Sequence, residues 1–242
     1  MKLNETFLIL ALIAEIIGTV GGFGSSVFFV PIGNFYFDFY SVLGLTAIFH
    51  LSSNVSKIFL FKKGLNKFLL LYIGVPSVVF VILGGYLSKV LKTNYLEVIL
   101  GVFLVGLALL FLIKKNLVFK AEKKESIIGG SLSGFTAGLL GTGGAIRGLT
   151  MAAFNLEKSV FIATSAFIDL MIDFSRTIVY YQNGYIHTHD LKYVPFLFLI
   201  GIIGTILGKK ILTYIPQDKF KKIALVLILI IGVFTLINFY YQ

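Results

Sequence analysis

His50, Ser53, Asn54 and Lys57 follow one another at i, i+3, i+4 and i+7 spacing, so in a helix they share one face. Ser165, Asp169, Asp173 and Arg176, at i, i+4, i+8 and i+11, likewise share one face further along the chain. Both sets lie inside apolar stretches, at about 43–61 and 159–181, where ionisable groups face a cavity or a partner and mark transport pathways. The two cations suit an oxyanion, arginine as a planar donor fork and lysine as a point charge. Blander roles stay open: Asp173 and Arg176 can neutralise each other at i, i+3, and Lys57 can snorkel to headgroups. Asp169 has no cation at i+3 or i+4, which makes it either a proton-coupling group or a carboxyl bonded to a neighbouring helix. His50 is a second candidate for proton movement, or a packed, hydrogen-bonded imidazole. Glu15 stands just before a glycine cluster, placed for coupling or for sealing. His187, His189 and Asp190 form H-x-H-D, a metal-like pattern that reads here as a solvated loop. No metal and no other cofactor is expected.

The elements that position these groups are membrane helices. Of 242 residues, 57% are hydrophobic and 13% charged, with a mean hydropathy of +0.95, the composition of an integral membrane protein. Cysteine is absent, which excludes disulfides, thiolate metal sites and cysteine nucleophiles. The net charge of +10 is read as a report on loop orientation and not as a nucleic-acid surface, because no basic run is interleaved with exposed aromatics on a soluble module. The N-terminal apolar stretch carries Glu15 and lacks a cleavage signal, so it is read as retained.

Runs long enough to cross a hydrocarbon core of about 30 Å fall at about 43–61, 68–88, 95–113, 159–181, 193–213 and 223–241. Two shorter runs, about 7–20 and 127–140, each stop at a glycine cluster. Such a segment can dip into the membrane and return as a helical hairpin, provided its turn is buried in protein or lines a polar cavity. Glycine accepts the positive φ of such a turn and permits close approach. Gly21, Gly22, Gly24, Ser25 and Ser26 in the first cluster, and Gly141, Gly143, Gly144 and Ala145 in the second, would then open the returning half-helices. A half-helix N-terminus offers free N–H groups and a positive dipole end, which suit an anion. Close helix packing is the competing use of the same glycines.

The two hairpin regions align with each other, Gly18–Gly24 with Gly138–Gly144, and beyond them His50 aligns with Asp169, Asn54 with Asp173 and Lys57 with Arg176. The expected architecture is therefore an all-α polytopic domain of two inverted repeats, about 6–113 and 126–241, joined by a basic cytoplasmic linker at 114–125. Each repeat is a re-entrant hairpin followed by three transmembrane helices. With the hairpins re-entrant, all loop cations except Lys2, Lys89, Lys92 and Lys192 fall on one side, Arg147 among them, which places both termini outside. Full crossing by the short segments would divide the loop cations almost evenly. Aromatic stretches at 35–40, 180–185 and 239–241 are expected near the outer interface.

The stretches GTVGGFGSSVFFVPIG (18–33) with GLTAIFHLSSNVSKI (44–58), and GLLGTGGAIRGLTMAAF (138–154) with ATSAFIDLMIDFSRT (163–177), resemble the TauE/SafE family of sulfite and organosulfonate exporters. The resemblance extends over nearly the whole chain. It implies a secondary carrier of sulfur oxyanions or related small organic anions in a cell inner membrane. The chain departs from the family in a thinned glycine run before Ser25, and in Asp169 and Asp173, where uncharged polar residues are more usual. Expected partners are the small anion and the lipid bilayer, with no nucleic acid; a coupling ion, proton or sodium, and a homodimer stay open. An anion channel of the same architecture is the alternative. An intramembrane aspartyl hydrolase is disfavoured, because Asp169 and Asp173 lie above one another on one helix and do not converge across a substrate.

Overall fold

In the computed structural model, which describes residues 4–21, 24–61, 64–113, 120–214 and 217–240, the apolar stretches are helical and the described residues contain no strand. The helices are α1 (Glu5–Gly21), α2 (Ser26–Gly33), α3 (Phe39–Leu60), α4 (Lys67–Val90), α5 (Thr93–Ile113), α6 (Lys123–Leu140), α7 (Gly144–Ala152), α8 (Lys158–Asn183), α9 (Val194–Ile211) and α10 (Gln217–Tyr240). A π turn at Leu70–Gly74 interrupts α4. Asp38 caps α3 by accepting the N–H groups of Tyr40 and Ser41. Gly141 ends α6 in the left-handed region at φ 75°.

Each short apolar segment folds back on itself. Near the start of α1, Phe7 packs on Phe29 and Phe37, with ring centroids 5.6 and 4.9 Å apart, while a Cβ added to Gly18 near its end would fall 2.3 Å from the Cα of Ser25. The second segment does the same: Gly129 lies against Thr150, and Ser133 donates to the carbonyl of Gly143 at 2.9 Å.

The long helices pack in two senses. α3 runs antiparallel to α8, with Ser41 2.6 Å from His187 at one end, Asn54 bonded to Asp173 in the middle, and the Asn66 N–H 3.0 Å from Thr164 at the other. α5 and α10 are antiparallel too, since Gly101 meets Leu236 and Gly232 meets Leu104. In contrast α6 lies parallel to α4. Gly130, Gly134 and Gly138 face the carbonyls of Ile73, Ser77 and Val81 so closely that an added Cβ would come within 2.5, 2.1 and 2.1 Å of them. This stripe of small residues lets two backbones touch, the close packing that replaces hydrophobic drive in lipid. α1 lies parallel to α9 in the same way, Gly204 against Glu15 and Gly208 against Thr19.

Four segments, Phe39–Leu60, Lys67–Val90, Thr93–Ile113 and Leu191–Ile211, are long and apolar enough to cross a membrane. The run expected at about 159–181 falls short of that measure because α8, 26 residues long, carries Asp169, Asp173 and Arg176, while the run expected at about 223–241 lies within the 24-residue α10. Large apolar side chains such as Val79, Leu83, Val102, Leu199 and Ile230 point outward, as lipid-facing positions do. The linker expected to reach residue 125 gives way to α6 at Lys123, and its residues 114–119 lie outside the described residues, as do Lys62 and Lys63. Of the expected interfacial aromatics, Tyr40 stacks on Tyr185 at 4.4 Å, whereas Tyr180 is fully buried and donates to the carbonyls of Ala137 and Gly138.

Candidate functional site

The tips of the two hairpins meet in the middle of the molecule. Gly24, at φ 80°, approaches Gly144 so that an added Cβ would lie 3.9 Å from the latter's Cα, and Ser26 donates to Thr142 at 3.2 Å. The N-termini of α2 and α7 are thus brought together, with Ser25, Ser26, Gly144 and Ala145 all buried there. Asn54 and Asp173, which the internal alignment pairs, also touch each other, at 2.6 Å between Nδ2 and Oδ2.

On the first side, Glu15 is fully buried and collects donors. Lys57 Nζ lies 2.9 Å from its Oε1, Thr19 and Thr205 donate to the same oxygen at 3.1 and 3.0 Å, and Ser25 donates to Oε2. Lys57 also donates to Ser53 at 3.2 Å. Because Ser25 spends its hydrogen on Glu15, His50 Nε2, 2.9 Å from the serine oxygen, must be the protonated ring nitrogen. His50 Nδ1 is then free to accept from Arg176 at 3.3 Å. A single line of donors therefore runs from Arg176 through His50 and Ser25 to Glu15.

On the second side the signs are exchanged. Arg147, from α7, pairs with Asp169 and donates through Nε to Ser165 at 3.1 Å. Asp173 Oδ1 holds Arg176 at 2.7 Å, and Arg176 donates to the carbonyls of Gly141 and Ala137 at 2.7 and 3.3 Å. Arg176 thus satisfies the carbonyl end of α6 as well as its own aspartate. Its buried Nε has no hydrogen-bond acceptor among the described residues.

Gly24, Ser25, Ser26, His50, Asn54, Lys57, Gly141, Gly143, Gly144, Asp169, Asp173 and Arg176 line one central cavity. The space at its centre, about 20 Å³, admits a water molecule and little else. A second cavity adjoins it through Gly24, Lys57 and Asp169 and leads past Arg147 to Phe161 and Ile162, near the start of α8. Of the other expected site residues, Ala145 is buried beside the cavity without lining it, Glu15 acts through Lys57 and Ser25, Gly21 ends α1, and Gly22 lies outside the described residues.

Two expectations, for Arg147 and for the H-x-H-D loop, need correction, and two alternatives left open, for Asp169 and Lys57, meet specific contacts. Arg147 is no loop cation: it is 1% exposed and sits inside the second hairpin. Asp169 does have a cationic neighbour, supplied by α7 from outside its own helix, which i+3 and i+4 spacing cannot reveal. Lys57 does not snorkel, since its ammonium is held by Glu15. The H-x-H-D loop is only partly solvated, because Asp190 is 3% exposed. Thr19, Thr142 and Thr205 escaped the sequence reading altogether; a threonine in an apolar run bears no mark of what it faces. Arg147 carried a usable signal, a charged residue three positions into a half-helix of small residues.

The sequence profile of the sulfite exporter TauE/SafE family matches residues 7–235. The "Probable membrane transporter protein MJ0441" of Methanocaldococcus jannaschii is 25% identical, the alignment covering 84% of this chain and 82% of the relative. No solved structure matches the chain.

Proposed function

The chain belongs to the sulfite exporter TauE/SafE family, a family of membrane transporters and not enzymes, and from that premise we propose that it exports a small sulfur-containing anion, sulfite or an organosulfonate, by alternating access. The anion binds between the N-termini of α2 and α7, where the central cavity, closed here to about the size of a water, widens to receive it. The observation that carries this reading is Arg176: a buried guanidinium on the cavity wall that keeps one unused donor, Nε, where two half-helix N-termini converge. Asn54, Lys57 and Ser26 complete the ligand set, joined by Ser25 once its hydroxyl lets go of Glu15.

The architecture we propose is two inverted repeats, each a re-entrant hairpin and three crossings, with both termini outside the inner membrane. The antiparallel packing of α3 on α8 and of α5 on α10 supports it, because equivalent helices of inverted halves must run in opposite directions. Contact between the aligned residues Asn54 and Asp173 supports it too, since residues at a two-fold axis meet their own counterparts. In this orientation the second cavity opens toward the cytoplasm, past the start of α8.

Glu15, Asp169 and Asp173 balance Lys57, Arg147 and Arg176, so a bound anion adds uncompensated charge at mid-membrane unless a carboxylate takes up a proton or lets go of its cation. Proton coupling through Asp173 or the His50–Ser25–Glu15 line follows from that balance. The test is the melting temperature of the detergent-solubilised protein against sulfite, taurine-like sulfonates, sulfate, chloride and organic cations. An anion present at about 100 times its Kd stabilises the folded protein by about 2.7 kcal/mol. A shift with sulfur oxyanions that Arg176→Lys weakens and Arg176→Ala removes supports the site, whereas a shift with cations alone overturns it.

A further inference from the structure

We propose that His187, His189 and Asp190, in the loop between α8 and α9, form a binding site for a divalent transition-metal ion of the zinc type. The loop is tightly wound, Asp190 N–H donating to the His187 carbonyl at 3.0 Å and Tyr193 N–H to the Asp190 carbonyl at 2.9 Å. That winding stacks the two imidazoles face to face, 5.3 Å apart and 8° from parallel, with one ligand atom from each of the three residues within 4.8 Å of the others.

The observation that points to a ligand is the carboxylate. Asp190 is 3% exposed, and neither of its oxygens has a hydrogen-bond donor among the described residues. His187 Nδ1 stands 3.6 Å from one oxygen and His189 Nε2 3.2 Å from the other, ionic contacts neither of which is a hydrogen bond. A buried carboxylate without donors is costly, and a cation between it and the imidazoles removes that cost. Two imidazole nitrogens and one carboxylate are the donors of open zinc sites, leaving a position for water, and they suit zinc, nickel or copper better than calcium or magnesium. Bonds of about 2.0–2.2 Å require the ligand atoms to draw together, and His189, with 60% of its side chain exposed, is free to do so. Asp38, 3.9 Å from His187, is left out because its carboxylate caps α3. His187 also contacts Ser41 at the start of α3, so the ion would sit where α3 meets the α8–α9 loop.

The test uses the full-length protein with any polyhistidine tag removed, stripped with chelator in detergent and titrated with zinc chloride by calorimetry. One zinc per chain is expected, with affinity falling about 10–100-fold in both His189→Ala and Asp190→Asn, while metal-free His189→Ala melts as the parent does. X-ray absorption on the zinc-loaded protein should show two imidazoles in the coordination shell. Absence of zinc binding, equal binding by His189→Ala, or calcium binding as tight as zinc would each overturn the site.

Discussion

The two hairpins are built alike and charged oppositely. In the first, the helix that enters carries the carboxylate, and Glu15 holds the cation of α3, Lys57. In the second, the helix that returns carries the cation, and Arg147 holds the carboxylate of α8, Asp169. The shared requirement is pairing: an intramembrane charge persists only with its counter-charge and hydrogen bonds, and either sign can come from either element. The second half adds one device without a counterpart, the Asp173–Arg176 pair that also closes the carbonyl end of α6. The first hairpin and α3 thus supply His50, Ser25 and Glu15 to the hydrogen-bond line, and α8 supplies the guanidinium with the unused donor.

The strongest test of this comparison is to remove one charge from each hairpin. Glu15→Ala strands Lys57, whose side chain is only 11% exposed, and should cost about 3–5 kcal/mol of stability. Arg147→Ala should cost less, about 2–3 kcal/mol, because 24% of the Asp169 side chain is exposed and water can replace the lost partner. Melting in detergent ranks the two; the reverse order would break the picture of a sealed first half and a wetter second. Glu15→Gln combined with Lys57→Gln should recover most of the first loss, since it is the unpaired charge and not the missing bridge that costs.

The hairpin turns offer a smaller contrast. Gly24 and Gly141 both hold positive φ, but a Cβ on Gly141 would strike Leu43 at 2.8 Å whereas one on Gly24 meets nothing closer than 3.8 Å. Gly24→Ala should cost about 1–2 kcal/mol for the backbone alone, and Gly141→Ala about 1 kcal/mol or more beyond that for the overlap; equal melting points would show that the second turn relaxes. Asn54→Ala leaves one Asp173 oxygen without its donor and should cost about 1–3 kcal/mol. Ser26→Ala, which removes one neutral hydrogen bond between the tips, should stay near 1 kcal/mol. A larger effect of Ser26→Ala on anion-induced stabilisation than on stability itself would place that hydroxyl on the ligand.

Much of the site was legible because polar residues in an apolar chain are few and each needs a reason to be there. The spacing of His50, Ser53, Asn54 and Lys57 put them on one face, and all four are buried against the core of the site. Glycine clusters marked the two turns, since nothing else in the sequence stops an apolar helix after some four turns. Other features were not legible. Asp169 looked isolated along its own helix, and Arg147 looked like a loop residue, because a partner on another element leaves no trace in spacing. The same holds for Asp190, whose burial depends on how the loop after α8 is wound.

By itself, then, the sequence determined that the chain is a helical membrane protein, where its helices break, and which faces carry polar groups, because hydropathy, glycine and helical period are local properties. Only the tertiary structure decided which charge answers which. Glu15 on α1 found Lys57 on α3, and Arg147 on α7 found Asp169 on α8, pairs made between different helices. In an interior with little water to screen a stray charge, those pairings settle what the core tolerates and leave the Nε of Arg176 as an unused donor.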